Sequence, residues 1–338
     1  MKALVFENQF DAAVKDVPKP SIENDQALLK ILACGICGGD IHFYGGTHPY
    51  SHYPQINGHE AVGTIEKLPE GRADFAPGDR VVPEILIPCG KCYPCRHDKP
   101  NCCSNLKVFG IHVPGGFAEY AAVPVKNLHK VPDNLSLDEA VLTEPYSIAH
   151  HVVTRSGINS DETALVIGAG TIGLTVTDIL KTKGVTVIVA DISEFRLEKA
   201  RAVGADITVN SSKRNLEEEV MKNTDGEGAG FIFEATGVPK VMESTIDLAA
   251  AGGTVMIVGL TNEAVSFSGK KITGKELTIK GSRNAYRDFG PVLELMSSGR
   301  LHQSVLLTKK IPVAESATEI EGLYRDASNE IKAAIFFE

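Results

Sequence analysis

The sequence predicts a protein of two domains, an irregular β-barrel and a doubly wound α/β domain. In the first 146 residues, short β-branched runs are separated by glycine and proline, which is typical of a barrel. Residues 147–285 instead alternate apolar strand patterns with helical patterns around a glycine-rich loop. At 338 residues the chain also exceeds the roughly 250–300 residues at which single cores stop growing.

The first domain contains several strand patterns that are not linked by helices. They are QALLKILACG at 26–35, GHEAVGTIEKL at 58–68, GDRVVPEIL at 78–86 and GGFAEYAAVP at 115–124. Near the C-terminus, RDFGPVLELMSSGRL predicts one amphipathic helix and IKAAIFF predicts a last strand. We expect this strand to return to the first domain, which then comprises residues 1–146 and 286–338.

The α/β domain opens with a strand–loop–helix–strand pattern at 164–191. The loop is G-x-G-x-x-G, formed by Gly168, Gly170 and Gly173. In this context the glycines permit a tight turn, close approach of the backbone to a pyrophosphate, and packing of the helix on the strand. Asp191 ends the next strand, where a carboxylate binds the ribose 2′-hydroxyl and repels a 2′-phosphate, which favours NAD over NADP. The alternative is a βαβ unit whose glycines serve packing alone.

Further strand patterns at 230–237, 252–260 and 277–284 extend this unit into a parallel sheet. Ligands of such sheets bind at the carboxyl ends of the strands. Residues that follow the last strand would contact either the cofactor or the carboxylate of an acidic substrate. The residues predicted to bind the cofactor are Gly168, Gly170, Thr171, Ile172, Gly173, Asp191, Arg196, Gly259, Arg283 and Asn284.

The cysteine-rich segment at 89–103 predicts a structural zinc site. Cys89, Cys92 and Cys95 are spaced C-x2-C-x2-C, and either Cys102 or Cys103 follows as a fourth thiol. Four thiolates complete the tetrahedron that zinc prefers and leave no position for substrate. The metal would order a polar loop that buries little apolar surface. The alternatives are free surface thiols, or a zinc ribbon that pairs Cys34 and Cys37 with Cys89 and Cys92, whose gap is far longer than a ribbon needs.

A second group of residues has the mixed character of a catalytic zinc site. Cys37, His59 and Glu60 offer sulfur, nitrogen and oxygen ligands, and a site with three protein ligands keeps an open position. Glu144 is a further acidic candidate, and Asp40 is placed to accept a hydrogen bond from a ligating histidine. Spacing alone singles out none of the remaining histidines, which include His42, His48, His52, His97, His112, His150 and His151.

Composition excludes several other classes of function. The formal net charge is −9 and the basic residues are scattered, which disfavours nucleic-acid binding. The sequence has no apolar run of about 18 residues and no apolar core near its start, so we expect neither a membrane span nor a secretory signal. Seven clustered cysteines do not resemble a disulfide framework. We therefore expect a cytoplasmic protein that acts on a small molecule.

Over essentially its full length the chain resembles zinc-dependent medium-chain alcohol and polyol dehydrogenases. The matching segments are GICGGDIH, GHEAVG, GDRV, CGKCYPCRHDKPNCC, GGFAEY, the Glu-Pro pair at 144–145, GAGTIG and Asp191. The resemblance implies a GroES-like barrel completed by C-terminal residues, a Rossmann domain at 147–285, two zinc ions, and a homodimer or homotetramer. It selects Cys103 as the fourth structural ligand.

Two features narrow the resemblance within this family. Related alcohol dehydrogenases have a cysteine ligand at the position of Glu144. A glutamate there resembles sorbitol and threonine dehydrogenases instead. The segments GGTHPYSHYPQINGHE, NCC, FGIHVPGGFAEY, ITGKEL and GSRNA are similar to bacterial L-galactonate and L-gulonate 5-dehydrogenases. The implied reaction is oxidation of a secondary hydroxyl of a sugar acid or polyol, in which the hydroxyl is acidified by zinc and a hydride passes to the nicotinamide.

One position departs from the family pattern. Where relatives have a serine or threonine whose hydroxyl helps to pass a proton, this chain has Gly39. A zinc-bound water, Glu144 or His42 is left to replace it. The rival interpretations are a sorbitol- or threonine-type dehydrogenase, a non-catalytic dinucleotide-sensing protein, and a zinc-free quinone reductase, which the retained cysteines disfavour.

Overall fold

The computed structural model of the protein describes residues 1–23, 25–71 and 74–337. The described chain forms two compact units. The first contains residues 1–144, 289–297 and the chain from Leu307 onward. The second contains Pro145–Asp288 and Ser298–Leu306.

The N-terminal part of the first unit is made mostly of short strands. They are β1 Lys2–Asn8, β2 Asp11–Asp16, β3 Gln26–Ile36, β4 Glu60–Lys67, β5 Arg80–Pro83, β6 Leu86–Ile87, β7 Lys107–Val108, β8 Tyr120–Pro124 and β9 Leu128–Lys130. The helices are correspondingly short. They are α1 Gly38–Tyr44, α2 Tyr93–Arg96 and α3 Leu137–Ala140, with 3-10 turns at Pro100–Cys102 and Val125–Asn127.

The second unit alternates strands and helices. After α4 Thr143–Ser156 come β10 Thr163–Ile167, α5 Thr171–Lys181, β11 Thr186–Asp191, α6 Glu194–Ala202, β12 Ile207–Asn210, α7 Leu216–Lys222, β13 Ala229–Glu234, α8 Pro239–Leu248, β14 Ala249–Ile257, α9 Gly269–Lys275 and β15 Thr278–Gly281. The chain ends with α10 Phe289–Ser297, a 3-10 turn Gln303–Val305, β16 Leu307–Pro312, a 3-10 turn Val313–Glu315, α11 Ser316–Arg325 and β17 Lys332–Phe336.

Strand β3 is the centre of the main sheet of the first unit. The described strands are ordered β16-β17-β3-β4-β5-β9, and β8 also pairs with β3. Most of β3 is buried, in agreement with its apolar sequence. β17 runs antiparallel to β3, with Ile335 opposite Cys34. The last strand therefore returns to the first unit, as the sequence led us to expect.

The second unit is a doubly wound parallel sheet. Its described strands are ordered β12-β11-β10-β13-β14-β15, and each pair is parallel. The β-branched runs supply a continuous apolar core, with Leu165, Ile188, Ile232 and Val255 fully buried. The strand patterns predicted after Asp191 are found as β13, β14 and β15. Among the described residues, none of the helices combines the length and apolar character needed to cross a bilayer.

Candidate metal centres and dinucleotide loop

Cys37, His59 and Glu60 come together in the first unit. One potential ligand atom from each of them lies within 4.8 Å of the others. Cys37 occupies the turn between β3 and α1, and Glu60 is the first residue of β4. Because β3 and β4 pair with Gly35 opposite Glu60, the neighbouring ends of the two strands bring the three side chains together.

The thiol of Cys37 is held in place by the start of helix α1. Its Sγ accepts a hydrogen bond from the N–H of Gly39 at 3.4 Å, and its own N–H donates to Asp40 Oδ2 at 2.9 Å. The amide of Asn57 donates to Asp40 Oδ1 at 3.2 Å. Burial raises the pKa of the Asp40 carboxyl, while His59 and these donors oppose the rise.

The hydrogen bond expected from a ligating histidine to Asp40 is not formed. Nδ1 of His59 has no hydrogen-bond partner among the described residues, and both oxygens of Asp40 are engaged by Cys37 and Asn57. That expectation was wrong because it overlooked the capping role of an acidic residue three positions after the turn. Asp40 fixes the backbone of Cys37 rather than an imidazole ring.

The Glu60 side chain lies in a space that Gly35 leaves open. A Cβ atom on Gly35 would lie 2.0 Å from Glu60 Oε2, so no larger residue fits there without moving the carboxylate. On its other side, Glu60 Oε1 accepts a hydrogen bond from Lys332 Nζ at 2.6 Å. Lys332 also donates to the carbonyl of Ile36. The sheet thus supplies both the room and the counter-charge for one carboxylate.

Two buried atoms of this cluster have no hydrogen-bond partner in the part of the chain that the structure describes. They are Nδ1 of His59 and Oε2 of Glu60. Buried polar atoms are nearly always satisfied, so the unpartnered oxygen of Glu60, beside the thiol of Cys37 and the imidazole of His59, fits an absent cation. Burial opposes protonation of His59, but the neighbouring thiol of Cys37 and the negative charges of Asp40 and Glu144 raise its pKa well above the usual range. The surroundings therefore favour positive charge, and the nitrogen, sulfur and oxygen donors suit zinc.

Glu144 stands in the first turn of α4, close to the cluster but not within it. The described group whose ligand atoms all lie within 4.8 Å comprises Cys37, His59 and Glu60. Burial raises the pKa of Glu144 to about 7, with a further rise from the charge of Glu60 and an opposing effect of His59. The carboxyl is therefore close enough to respond to the charge of two members of the cluster.

The second cysteine group forms a compact set of thiols around α2. The sulfur atoms of Cys89, Cys92, Cys95 and Cys103 lie within 4.8 Å of one another. Cys92 Sγ is 3.4 Å from Cys95 Sγ and 3.6 Å from Cys103 Sγ, near the roughly 3.8 Å between thiolates around tetrahedral zinc. Backbone N–H groups of Cys95 and Ser104 lower the pKa of Cys92 to about 6, which favours a thiolate. The donor set fits a closed zinc site.

In the second unit, the G-x-G-x-x-G loop has the geometry that its glycines predict. Gly168 has φ +99°, which favours glycine. A Cβ on Gly173 would lie 1.7 Å from the carbonyl oxygen of Gly168, so the first turn of α5 packs directly on the loop. A Cβ on Gly170 would meet nothing within 4 Å. The loop is therefore open at the point where a phosphate approaches.

Asp191 stabilises this loop. Its carboxylate accepts hydrogen bonds from the N–H of Ala169 at 2.7 Å and from the N–H of Ser193 at 2.8 Å. Each oxygen keeps a second lone pair for a ribose hydroxyl. Nearby on α6, Nε of Arg196 is buried with no hydrogen-bond partner among the described residues.

The other residues predicted to bind a cofactor occupy the same sheet at different points. Thr171 and Ile172 begin α5. Gly259 follows β14, and a Cβ there would lie 2.1 Å from the nitrogen of Gly237. Arg283 and Asn284 follow β15, and Asn284 has φ +48°. All of them stand near the carboxyl ends of parallel strands, where ligands of this fold bind.

Three residues of these sites were missed from the sequence. Lys332 is the only charged residue in the apolar segment IKAAIFF, and this was a usable signal. Gly35 gave no signal, since its role depends on the pairing of β3 with β4. Glu234, at the end of β13, is fully buried and accepts hydrogen bonds from the backbone of Thr236 and Gly237. Its role in closing that turn follows from the fold alone.

A barrel-like unit with a mixed ligand cluster, together with a dinucleotide fold, defines a metal-dependent dehydrogenase. Comparison with known families agrees. Residues 23–133 match the alcohol dehydrogenase GroES-like domain, and residues 171–298 match the zinc-binding dehydrogenase domain.

Individual relatives cover nearly the whole chain. The starvation-sensing protein RspB of Escherichia coli K12 is 36% identical over 100% of this chain and 99% of its own. The L-galactonate-5-dehydrogenase of the same organism is 37% identical over 96% of this chain and 94% of its own. A crystal structure of an alcohol dehydrogenase (rspB) from E. coli CFT073 with NADH has a TM-score of 0.94 at 34% identity, covering 100% and 99% of the two chains.

The chain belongs to the zinc-type medium-chain alcohol dehydrogenase family. The first unit contains the GroES-like domain and the second is the Rossmann domain, as the sequence predicted. It is an alcohol or polyol dehydrogenase that uses zinc and a nicotinamide cofactor.

Proposed function

We propose that this enzyme oxidises a secondary hydroxyl of a sugar acid or polyol with NAD, in the manner of an L-galactonate or L-gulonate 5-dehydrogenase. The observation that carries the proposal is the largely buried cluster of Cys37, His59 and Glu60, in which Oε2 of Glu60 has no hydrogen-bond partner among the described residues. Support for the substrate class comes from the 37% identity to L-galactonate-5-dehydrogenase.

The first unit would hold two zinc ions, one catalytic and one structural. We assign one to Cys37, His59, Glu60 and Glu144, and the other to the four clustered thiols Cys89, Cys92, Cys95 and Cys103. Zinc at the mixed site supplies Lewis acidity that brings the pKa of an alcohol toward neutrality. Among the chain's own residues, Asp40 accepts a hydrogen bond from the backbone N–H of Cys37, and Lys332 donates one to an oxygen of Glu60.

NAD would bind to the Rossmann domain through the loop from Gly168 to Gly173. The N–H groups at the start of α5 and the positive end of its dipole favour the pyrophosphate. The carboxylate of Asp191 accepts the ribose hydroxyls and repels a 2′-phosphate. We further assign residues 1–146 and 286–338 to the catalytic domain, residues 147–285 to the cofactor domain, and a homodimer or homotetramer to the native enzyme.

A substrate panel tests this proposal. Purified protein of measured metal content is assayed with NAD and with NADP against aldonic acids, neutral polyols and L-threonine. The proposal expects the highest kcat/KM with an aldonic acid and NAD. A clear preference for sorbitol or L-threonine would contradict the proposal and indicate a sorbitol- or threonine-type dehydrogenase.

A second candidate comes from another class of function. The glycine at position 39 favours a non-catalytic, dinucleotide-sensing protein, and one relative, RspB, is named a starvation-sensing protein. Binding of NAD with no turnover of any alcohol, by protein that contains zinc, would support that alternative and overturn the proposed activity.

A further inference from the structure

The glycine at position 39 leaves a space beside the mixed metal cluster. A Cβ atom built on Gly39 would lie 3.8 Å from Cys37 Sγ and 3.9 Å from His48 Nε2, which are ordinary contact distances. The backbone there is not in the left-handed region, so a small side chain would fit. The space is therefore bounded by the thiol on one side and by the His48 imidazole on the other.

Hydrogen bonding determines the tautomer of His48. The N–H of Tyr50 donates to Nδ1 of the ring at 3.3 Å. In a neutral imidazole the nitrogen that accepts has no proton, so the proton of His48 is on Nε2. Nε2 forms no hydrogen bond with any residue that the structure describes. The ring thus presents an unused N–H donor to the space beside Cys37.

Because Nδ1 accepts a hydrogen bond and carries no proton, the His48 ring is neutral in this arrangement. Burial lowers the pKa of the ring, and the neighbouring rings of His59, His42 and His112 lower it further. An N–H donor is therefore present without a positive charge.

Aromatic contacts hold the ring in this orientation. The His48 ring centroid lies 5.9 Å from that of Phe43 and 5.7 Å from that of Tyr50. Tyr50 in turn lies 4.7 Å from the ring of His112. Phe43 is 1% exposed and belongs to α1, the helix that carries Gly39. The packing therefore fixes the Nε2–H group of His48 toward the space beside Gly39.

We propose that His48 Nε2–H donates a hydrogen bond to a second oxygen of the substrate, whose reacting hydroxyl lies at the cluster of Cys37, His59 and Glu60. This rests on the proposed function. A monohydric alcohol would leave this N–H donor without a partner. The enzyme would therefore disfavour it relative to a substrate that carries a second oxygen. The second oxygen is a neighbouring hydroxyl or a carboxylate, and His48 selects substrates that carry one.

Three variants test the proposal: His48→Phe, His48→Gln and His52→Phe. Phenylalanine keeps the aromatic contacts and removes the donor, whereas the glutamine amide keeps a donor. His52 is a matched control, because its ring also packs on Phe43, at 5.9 Å, but it is exposed and its Nδ1 faces the carbonyl of Tyr50. The readout is kcat/KM for a polyhydroxylated substrate divided by kcat/KM for a secondary alcohol with one hydroxyl.

We expect His48→Phe to lower this ratio about tenfold or more, mainly through KM for the polyhydroxylated substrate. His48→Gln should recover part of the loss, and His52→Phe should leave the ratio unchanged. Comparison of an aldonic acid with the corresponding neutral polyol identifies the oxygen: a loss confined to the acid indicates the carboxylate. An equal loss with both substrates indicates a neighbouring hydroxyl.

Two further measurements test the role of His48 even if the His48→Phe variant does not fold. If His48→Phe is unstable, Gly39→Ala fills the space with one methyl group and should lower the same ratio. In nitrogen-labelled wild type, the His48 ring resonance, assigned by its loss in a His48 variant, should show the Nε2–H tautomer and shift when substrate is added. An active wild type whose ratio is unchanged in His48→Phe and in Gly39→Ala would overturn this inference alone. A wild type without turnover would overturn the proposed function.

Discussion

The ammonium group of Lys332 lies 2.6 Å from Oε1 of Glu60, and the two side chains are only 3% and 2% exposed. Burial opposes the charge of Lys332, yet the negative charges of Glu60 and Cys37 raise its pKa. The pair joins the last strand of the chain to the first residue of β4. Removing one member leaves the other charge buried and unpaired.

Replacement of Lys332 by methionine should therefore be strongly destabilising. We expect the free energy of unfolding to fall by about 3–5 kcal/mol, measured by chemical denaturation at constant zinc concentration. Glu60→Gln combined with Lys332→Met should be less destabilised than the sum of the single variants, because no charge then remains unpaired. Wild-type stability of the single lysine variant would show that the ion pair is unimportant.

Gly35→Ala should disturb the mixed metal site. The added Cβ would meet Glu60 Oε2 at 2.0 Å, so the carboxylate must move. We expect loss of zinc from this site and a large fall in kcat. Gly281→Ala is a matched control, because Gly281 is also in a strand and its added Cβ meets nothing within 4 Å. Equal zinc content and activity in both variants would contradict the assigned role of Gly35.

The two cysteine sites should respond differently to substitution. Cys37→Ser should abolish turnover and leave NAD binding intact, since Cys37 contributes only to the mixed cluster. Cys92→Ser should mainly lower stability or solubility, because it opens the four-thiol site that orders the polar loop. Turnover, NAD titration and thermal unfolding measured on both proteins separate the two effects. Full activity of Cys37→Ser would exclude its catalytic assignment.

Asp288 should make stability depend on pH at the acidic end. Burial raises the pKa of its carboxyl, but hydrogen bonds with His150 and His151 outweigh this and lower the pKa to about 2, from a usual value of 3.8. A lowered folded-state pKa means that the stabilisation is complete above the usual value and is lost as pH falls toward the folded value. Asp288→Asn removes this contribution.

The measurement is the difference in unfolding free energy between wild type and Asp288→Asn. We expect this difference to shrink by about 1 kcal/mol from pH 5 to pH 3, by linkage. Effects common to both proteins, including zinc release, cancel in the comparison. A difference that stays constant over this range would mean that Asp288 titrates normally.

Sequence patterns predicted the features that lie within short segments. The βαβ order, the glycines from Gly168 to Gly173 and the four-thiol spacing are local, and in each case the alternative interpretation fitted the surrounding sequence less well. The capping box at the turn from β3 into α1 was missed, although an acidic residue three positions after a capping residue is a known sequence pattern. Asp40 was therefore assigned to a histidine instead of to Cys37.

The remaining features depend on contacts between distant segments. Lys332 meets Glu60 across 272 residues of sequence, and no periodicity identifies that pair. Gly35 matters only because β3 and β4 pair in one register. His48 was set aside as one histidine among many, since its orientation depends on Tyr50 and on the absence of a side chain at Gly39.

Elemental analysis of the purified wild type and of the Cys37→Ser and Cys92→Ser variants tests whether the chain holds two separate zinc sites. We expect two zinc ions per chain in the wild type, and one each in Cys37→Ser and in Cys92→Ser, because the two sites are separate. Active wild-type enzyme that contains no metal, or a Cys37→Ser variant that keeps both ions, would contradict it.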